Sequence, residues 1–203
     1  MYEFLAVALI TILAVVSPGA DFAVVTRNSY LYGRKIGIFT AFGIAVGVLL
    51  HVFYTLCAMI FIVSYLSYLL HIIKYCGAAY LIYIGYKTFM QLPIKETCPD
   101  GVLTILQAFK QGFLTNAFNP KTTLFVLSTY TQIVSIETPK FVLIVYGLFM
   151  SLAHFIWFSI VALVFSILLL RKKMLAQQVL MNRVIGLILC ILGVLLVVLQ
   201  INY

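Results

Sequence analysis

Carboxylates are scarce in this chain. It has five Asp and Glu against thirteen Lys and Arg, and charged residues make up only 9% of its 203 positions. A soluble domain carries about a quarter charged residues. So few polar groups cannot cover a globular surface in water. With 65% hydrophobic residues and a mean hydropathy of +1.17, the outer surface has to face lipid, and one integral membrane domain over residues 1–203 is expected. Cysteine is sparse as well. Cys57, Cys76, Cys98 and Cys190 form no CxxC pair, which argues against a disulfide framework or a zinc site. His51, His71 and His154 are scattered. No phosphate loop and no nucleophile–base motif occurs. These absences argue against an enzyme, a resident metal and a cofactor. The net charge of +8 would suggest a nucleic-acid partner in a soluble protein; here membrane orientation explains it and no nucleic acid is expected.

What is present is apolar sequence in long runs. A spanning helix needs about 20 mostly apolar residues. Six segments qualify: 4–26, 36–63, 69–89, 111–136, 141–170 and 184–201. Residues 36–73 hold no charged side chain. Residues 91–110 form the one substantial connector, with room for a short amphipathic helix. The first segment is followed by Ser17-Pro18-Gly19-Ala20-Asp21, but Glu3 stands where a cleaved leader would be basic, so residues 1–26 are read as a retained helix. Ten basic residues fall in the first, third and fifth connectors, including Arg27, Arg34, Lys87 and Arg171, whereas only Lys74 and Lys140 edge the second and fourth. That alternation predicts an even number of spans, basic loops in the cytoplasm and both termini outside.

Two spans carry breaks. In "TNAFNPKTT", Asn119 is a favoured N-cap and Pro120 a favoured first helical residue, so a helix is expected to restart there within the membrane. Free amides and a positive dipole end would then lie inside the protein, with Lys121 adding a full charge and Asn116 close by: a place for a carboxylate. The first span repeats the pattern, with Ser17 as cap, Pro18 as first helical residue, Gly19 for flexibility and Asp21 as a buried acid. Pro18 and Pro120 lie about half a chain length apart, as do His51 and His154. Matching interruptions in two halves are a pointer to a transporter site, and the expected fold is all-α with two inverted three-helix repeats, 1–90 and 111–203, joined by 91–110.

Each residue has a plain alternative. Asp21 binds a substrate ammonium or carries a coupled proton, or it pairs with Lys121; Lys121 binds a carboxylate, or it ties the first and fourth spans together. His51 shuttles protons, titrating near pH 6.5 when unperturbed, or makes an interhelical hydrogen bond. His154 has the same two readings. Gly43 and Gly47 make a GxxxG spacing, and Gly77, Ala78, Ala79 and Gly85 a second small-residue face; both are read as packing within the bundle. A homodimer is compatible with the sequence.

Four stretches resemble the LysE/RhtB family of bacterial amino-acid exporters. "SPGAD" (17–21) is similar to its acidic first-span motif, "GRKIG" (33–37) to its basic connector, "IKYCGAAYLIYIGYKTF" (73–89) to its third-span signature and "FKQGFLTNAFNPKTTLF" (109–125) to its fourth. Ala20 departs from the family's second proline, and Tyr130-Thr131-Gln132 from its usual Pro-Gln. The resemblance implies a six-span exporter of the bacterial inner membrane, driven by protons, with Asp21 at the acidic position, Asn119, Pro120 and Lys121 at the Asn-Pro-Lys motif and His51 where second-span histidines occur. A zwitterionic pocket with no second acid favours neutral amino acids such as homoserine, threonine or leucine. A metal or small-ion exporter is the alternative. A membrane thiol-redox carrier would need cysteines where Ser17 and Asn119 stand.

Overall fold

The computed structural model describes residues 2–65, 79, 82, 83, 85–87, 89, 90, 103–132, 134, 135 and 137–200. Among them are seven helices and no strand: α1 (Tyr2–Val16), α2 (Ala20–Tyr32), α3 (Arg34–Tyr65), α4 (Ile105–Ala117), α5 (Pro120–Gln132), α6 (Lys140–Phe165) and α7 (Leu168–Gln200). Arg34–Met59 and Lys140–Phe165 are each long and apolar enough to cross a membrane, and α1 with α2 makes a third crossing if the bent pair is one span. The outward faces are apolar, as lipid contact requires: Phe141, Leu148, Leu152, Ile156 and Ile160 run exposed along α6. The expected third span, 69–89, lies mostly outside the described residues, as do Gly77, Ala78 and connector residues 91–102.

Both expected breaks are present, and one differs in detail. α1 and α2 meet at 53°. The cap of α2 is Gly19, not Ser17, and it makes no side-chain capping bond. Ser17 instead closes α1, its amide donating to the Leu13 carbonyl at 3.1 Å. A residue before proline is pushed out of the helical region, so α1 ends at Val16, ahead of Ser17-Pro18. The second break follows the expectation. Asn119 Oδ1 accepts from the Lys121 amide at 3.0 Å, and the Asn119 carbonyl accepts from the amides of Thr122 and Thr123, so α5 starts at Pro120.

Two other boundaries move. α4 begins at Ile105, inside the expected connector, because Thr104 and Gln107 form a reciprocal capping box. The fifth span stops at Phe165, and the basic run Arg171-Lys172-Lys173, expected as a loop, belongs to α7. Positive charge marks a membrane surface; it does not require the helix to end there.

α3 is the centre of the bundle and packs on α2, α4, α5 and α6. Lipid is as apolar as leucine, so helices in a bilayer associate through close backbone approach. The GxxxG face does this against α4: a Cβ at Gly43 would overlap the Phe109 carbonyl and sit 2.7 Å from the Phe113 amide nitrogen, and one at Gly47 would lie 2.7 Å from Asn116 Oδ1. The small-residue face is therefore spent inside the molecule. Gly85 likewise abuts Cys190 and Gly186 of α7. Overpacking against backbone costs about 1–3 kcal/mol. Gly43→Val is thus expected to lower the thermal midpoint of the detergent-solubilised protein by about 5 °C or more, and Leu50→Val, on the exposed face of α3, by about 1 °C or less. Equal midpoints for the two variants would refute this packing.

The apolar interior divides in two. One cluster holds Val7, Ile10, Val52, Tyr130 and Tyr146; the other holds Phe22, Val25, Ile44, Phe158 and Phe165. The second cluster spans the first break, with Val15 before it and Phe22 after it. Each end is also tied. Glu3 accepts from the Ser135 amide at 3.0 Å and the Thr138 hydroxyl at 2.9 Å, and Tyr130 donates to the Leu143 carbonyl at 2.7 Å. On the other side of the breaks, Asn28 Nδ2 lies 3.0 Å from both Thr40 Oγ1 and Gln111 Oε1.

Candidate functional site

The two breaks hold each other. Lys121, the second residue of α5, sends its ammonium to the Ser17 carbonyl at 2.5 Å. That carbonyl follows the C-terminal end of α1, where unpaired carbonyls make the partial charge negative. The Lys121 stem runs beside Gly19: a Cβ there would lie 3.5 Å from Lys121 Cδ, in ordinary contact. In the other direction, Asp21 stands in the first turn of α2, where the dipole favours an anion. Its Oδ2 accepts from Asn116 Nδ2 at 2.8 Å and Asn119 Nδ2 at 3.1 Å. The carboxylate of the first break is thus gripped by amides of the second, and the cation of the second by a carbonyl of the first.

The sequence leaves open a direct Asp21–Lys121 pair. Among the described residues the two charges feel each other but share no hydrogen bond; each is held by neutral groups. A carboxylate held by amides is only half satisfied. Asp21 is 6% exposed, and its Oδ1 is buried with no hydrogen-bond partner.

Ser17, Gly19, Asp21, Asn119 and Lys121 line one small cavity of about 20 Å³, space for about one water. Pro18, Asn116 and Pro120 are not on its wall. Pro18 and Pro120 set the breaks, and Asn116 orients Asp21 from behind while also donating to Thr122 Oγ1 at 3.1 Å. His51 is absent from the wall too. Its Nε2 lies 2.8 Å from the Asn116 carbonyl. A carbonyl only accepts, so Nε2 carries the proton and Nδ1 accepts from the Tyr54 hydroxyl, with Thr123 Oγ1 at 3.3 Å. His51 therefore caps the open end of α4 across the helix interface, the second of its two readings, and sits one residue behind Asp21's own donor.

Seven residues complete the wall beyond those the sequence singles out as the site: Ala14, Val15, Phe22, Thr122, Phe125, His154 and Phe158. Helical spacing offered a signal. Thr122 is one turn from Asn119, and Phe158 one turn from His154. His154 bonds within its own helix, to the Met150 carbonyl at 2.8 Å, and not across an interface. Among the described residues no three of His, Cys, Asp and Glu gather as metal ligands. Cys57 and Cys190 are free thiols away from the cavity; Cys76 and Cys98 lie outside the described residues.

A protein-family model described as LysE type translocator matches residues 12–200. Among similar proteins is an uncharacterized membrane protein, YrhP, of Bacillus subtilis strain 168, 30% identical over 169 residues that cover 78% of this chain and 80% of that one. The threonine efflux protein of Escherichia coli K12 is 28% identical over 177 residues, 83% of this chain and 84% of that one. A leucine efflux protein of Salmonella choleraesuis is 28% identical over 130 residues, 63% and 61% of the two chains. No solved structure matches.

Proposed function

The chain belongs to the LysE type translocators, a family of membrane transporters, and from that premise we propose that it exports neutral amino acids across the bacterial inner membrane in exchange for protons. The proposal includes six spans as two inverted three-helix repeats, with both termini outside.

One observation carries it. A carboxylate and an ammonium are kept apart at the crossing of two broken helices, and each has a replaceable partner. A zwitterion brings the complement of both. Its carboxylate takes Lys121 from the Ser17 carbonyl, joined by the free amides at the start of α5. Its ammonium supplies donors to Asp21 Oδ1. Unpaired buried polar atoms are costly, so the new partner for Asp21 Oδ1 offsets the loss of Lys121 from the Ser17 carbonyl. The cavity holds about one water in the closed form, so an amino acid is admitted only when the halves part. The two apolar clusters act as alternate seals. A proton on Asp21 removes the charge that holds the ammonium, which links release to proton uptake. The relatives named for threonine and leucine efflux support a neutral substrate, as does the single carboxylate in the wall.

The test is counterflow in proteoliposomes preloaded with each proteinogenic amino acid and with homoserine. Saturable exchange confined to a few neutral amino acids is expected. Folded protein that exchanges none of them would sink the reading and put a small-ion exporter in its place.

A further inference from the structure

Two residues in the wall of the cavity, Asp21 and His154, bring acceptors to it. Asp21 Oδ1 is buried and unpaired. His154, 4% exposed and also in the wall, brings a second acceptor. Its Nδ1 faces the Met150 carbonyl at 2.8 Å, one turn back on α6. Because that carbonyl only accepts, Nδ1 carries the ring proton and Nε2 is left as a bare lone pair. The ring is fixed in place: it packs against the rings of Phe125 and Phe158, each with its centroid 6.1 Å away. Neither phenyl offers a hydrogen-bond donor, and among the described residues Nε2 has no polar partner. The one strong donor in the wall, Lys121, is engaged by Ser17.

Two acceptors on residues that line one small cavity suit a ligand group with at least two hydrogens to give. A primary ammonium has three. A hydroxyl has one. We propose that His154 Nε2 binds the substrate's ammonium together with Asp21 Oδ1, and that this second acceptor makes the site select amino acids over the corresponding 2-hydroxy acids. The inference rests on the exporter reading and names a residue of the same site. Asp21 supplies charge, which a proton can cancel. His154 supplies a directed lone pair on a rigid helix, and its tautomer is locked by the backbone of that helix, so it reads the number of donors.

The experiment measures counterflow KM for a transported neutral amino acid, and inhibition by its 2-hydroxy analogue, in reconstituted wild type, H154F and H154Q. Phenylalanine keeps the ring between Phe125 and Phe158 and lacks the acceptor; glutamine returns a carbonyl oxygen near the position of Nε2. H154F is expected to raise KM for the amino acid about tenfold or more, the loss of a hydrogen bond to a charged group. It should change inhibition by the hydroxy acid less than about threefold, and H154Q should recover most of the lost affinity. If H154F lowers the thermal midpoint, H154L serves as the acceptor-free variant. An H154F or H154L protein with wild-type KM, or one that weakens both ligands alike, overturns the assignment and leaves His154 as packing. A wild type that exchanges no amino acid overturns the exporter reading first, and this inference with it.

Discussion

Lys121→Ala is expected to reduce amino-acid exchange by about 100-fold or more while the protein still inserts and folds. Breaking a buried ionic contact by removing one partner costs about 3–5 kcal/mol, and 1.4 kcal/mol is a factor of ten. Lys121 is partly buried and its Nζ has a neutral partner, the Ser17 carbonyl, so the lower end of that range applies. Alanine leaves that carbonyl without its donor, leaves Asp21 without its nearest counter-charge, and removes the only full positive charge in the cavity wall. Arginine is not expected to rescue. The lysine stem lies flat over Gly19, with Nζ 3.6 Å from where a Cβ would be; a planar guanidinium needs more width than an ammonium. Initial rates of counterflow in proteoliposomes, normalised to inserted protein, check this. Exchange within about threefold of wild type would show that the carboxylate binds elsewhere.

Asp21→Asn is expected to act differently, by uncoupling. Asparagine is nearly isosteric, and its carbonyl oxygen still accepts from Asn116 and Asn119, which now hold Asp21 Oδ2 at 2.8 and 3.1 Å. The crossing of the breaks should therefore survive. What is lost is the charge that attracts an ammonium and the carboxylate that takes up a proton. An imposed proton gradient should accelerate export severalfold in wild type and leave the variant's residual exchange, expected at about a few per cent, unchanged. Gradient-driven export that persists in Asp21→Asn would move proton coupling to another group; His51, one residue behind Asp21's donor, would be the next to test.

The two breaks show how far local rules reach. Asn119-Pro120 was legible because capping and proline geometry act within one turn, and the restart falls where those rules place it. Ser17-Pro18 shows the same letters and a different outcome. There the cap passes to Gly19, and the backbone that seemed free to cap a helix instead receives Lys121 from the other half of the chain. No local pattern contains that contact. The partners of Asp21 are open in the sequence for the same reason: opposite charges suggest each other there, whereas in the fold the Asn116 and Asn119 amides hold the carboxylate. His154 stands out in the sequence for its spacing from His51, yet its place in the wall depends on how α6 packs on α1, α2 and α3. The basic run at 171–173 reads as a loop because charge marks a membrane surface, whereas in the structure it is part of α7.

The central claim is that one amino acid spans the two breaks, carboxylate to Lys121 and ammonium to Asp21. Competition against counterflow tests it most directly, using a transported amino acid, its amine lacking the carboxylate and its acid lacking the ammonium, on wild type, Lys121→Ala and Asp21→Asn. The account predicts matched losses. Removing the carboxylate should weaken binding to wild type about tenfold or more and have little further effect on Lys121→Ala, and removing the ammonium should behave likewise with Asp21→Asn. Independent, additive losses in both pairs would contradict it and place the substrate outside the crossing of the two broken helices.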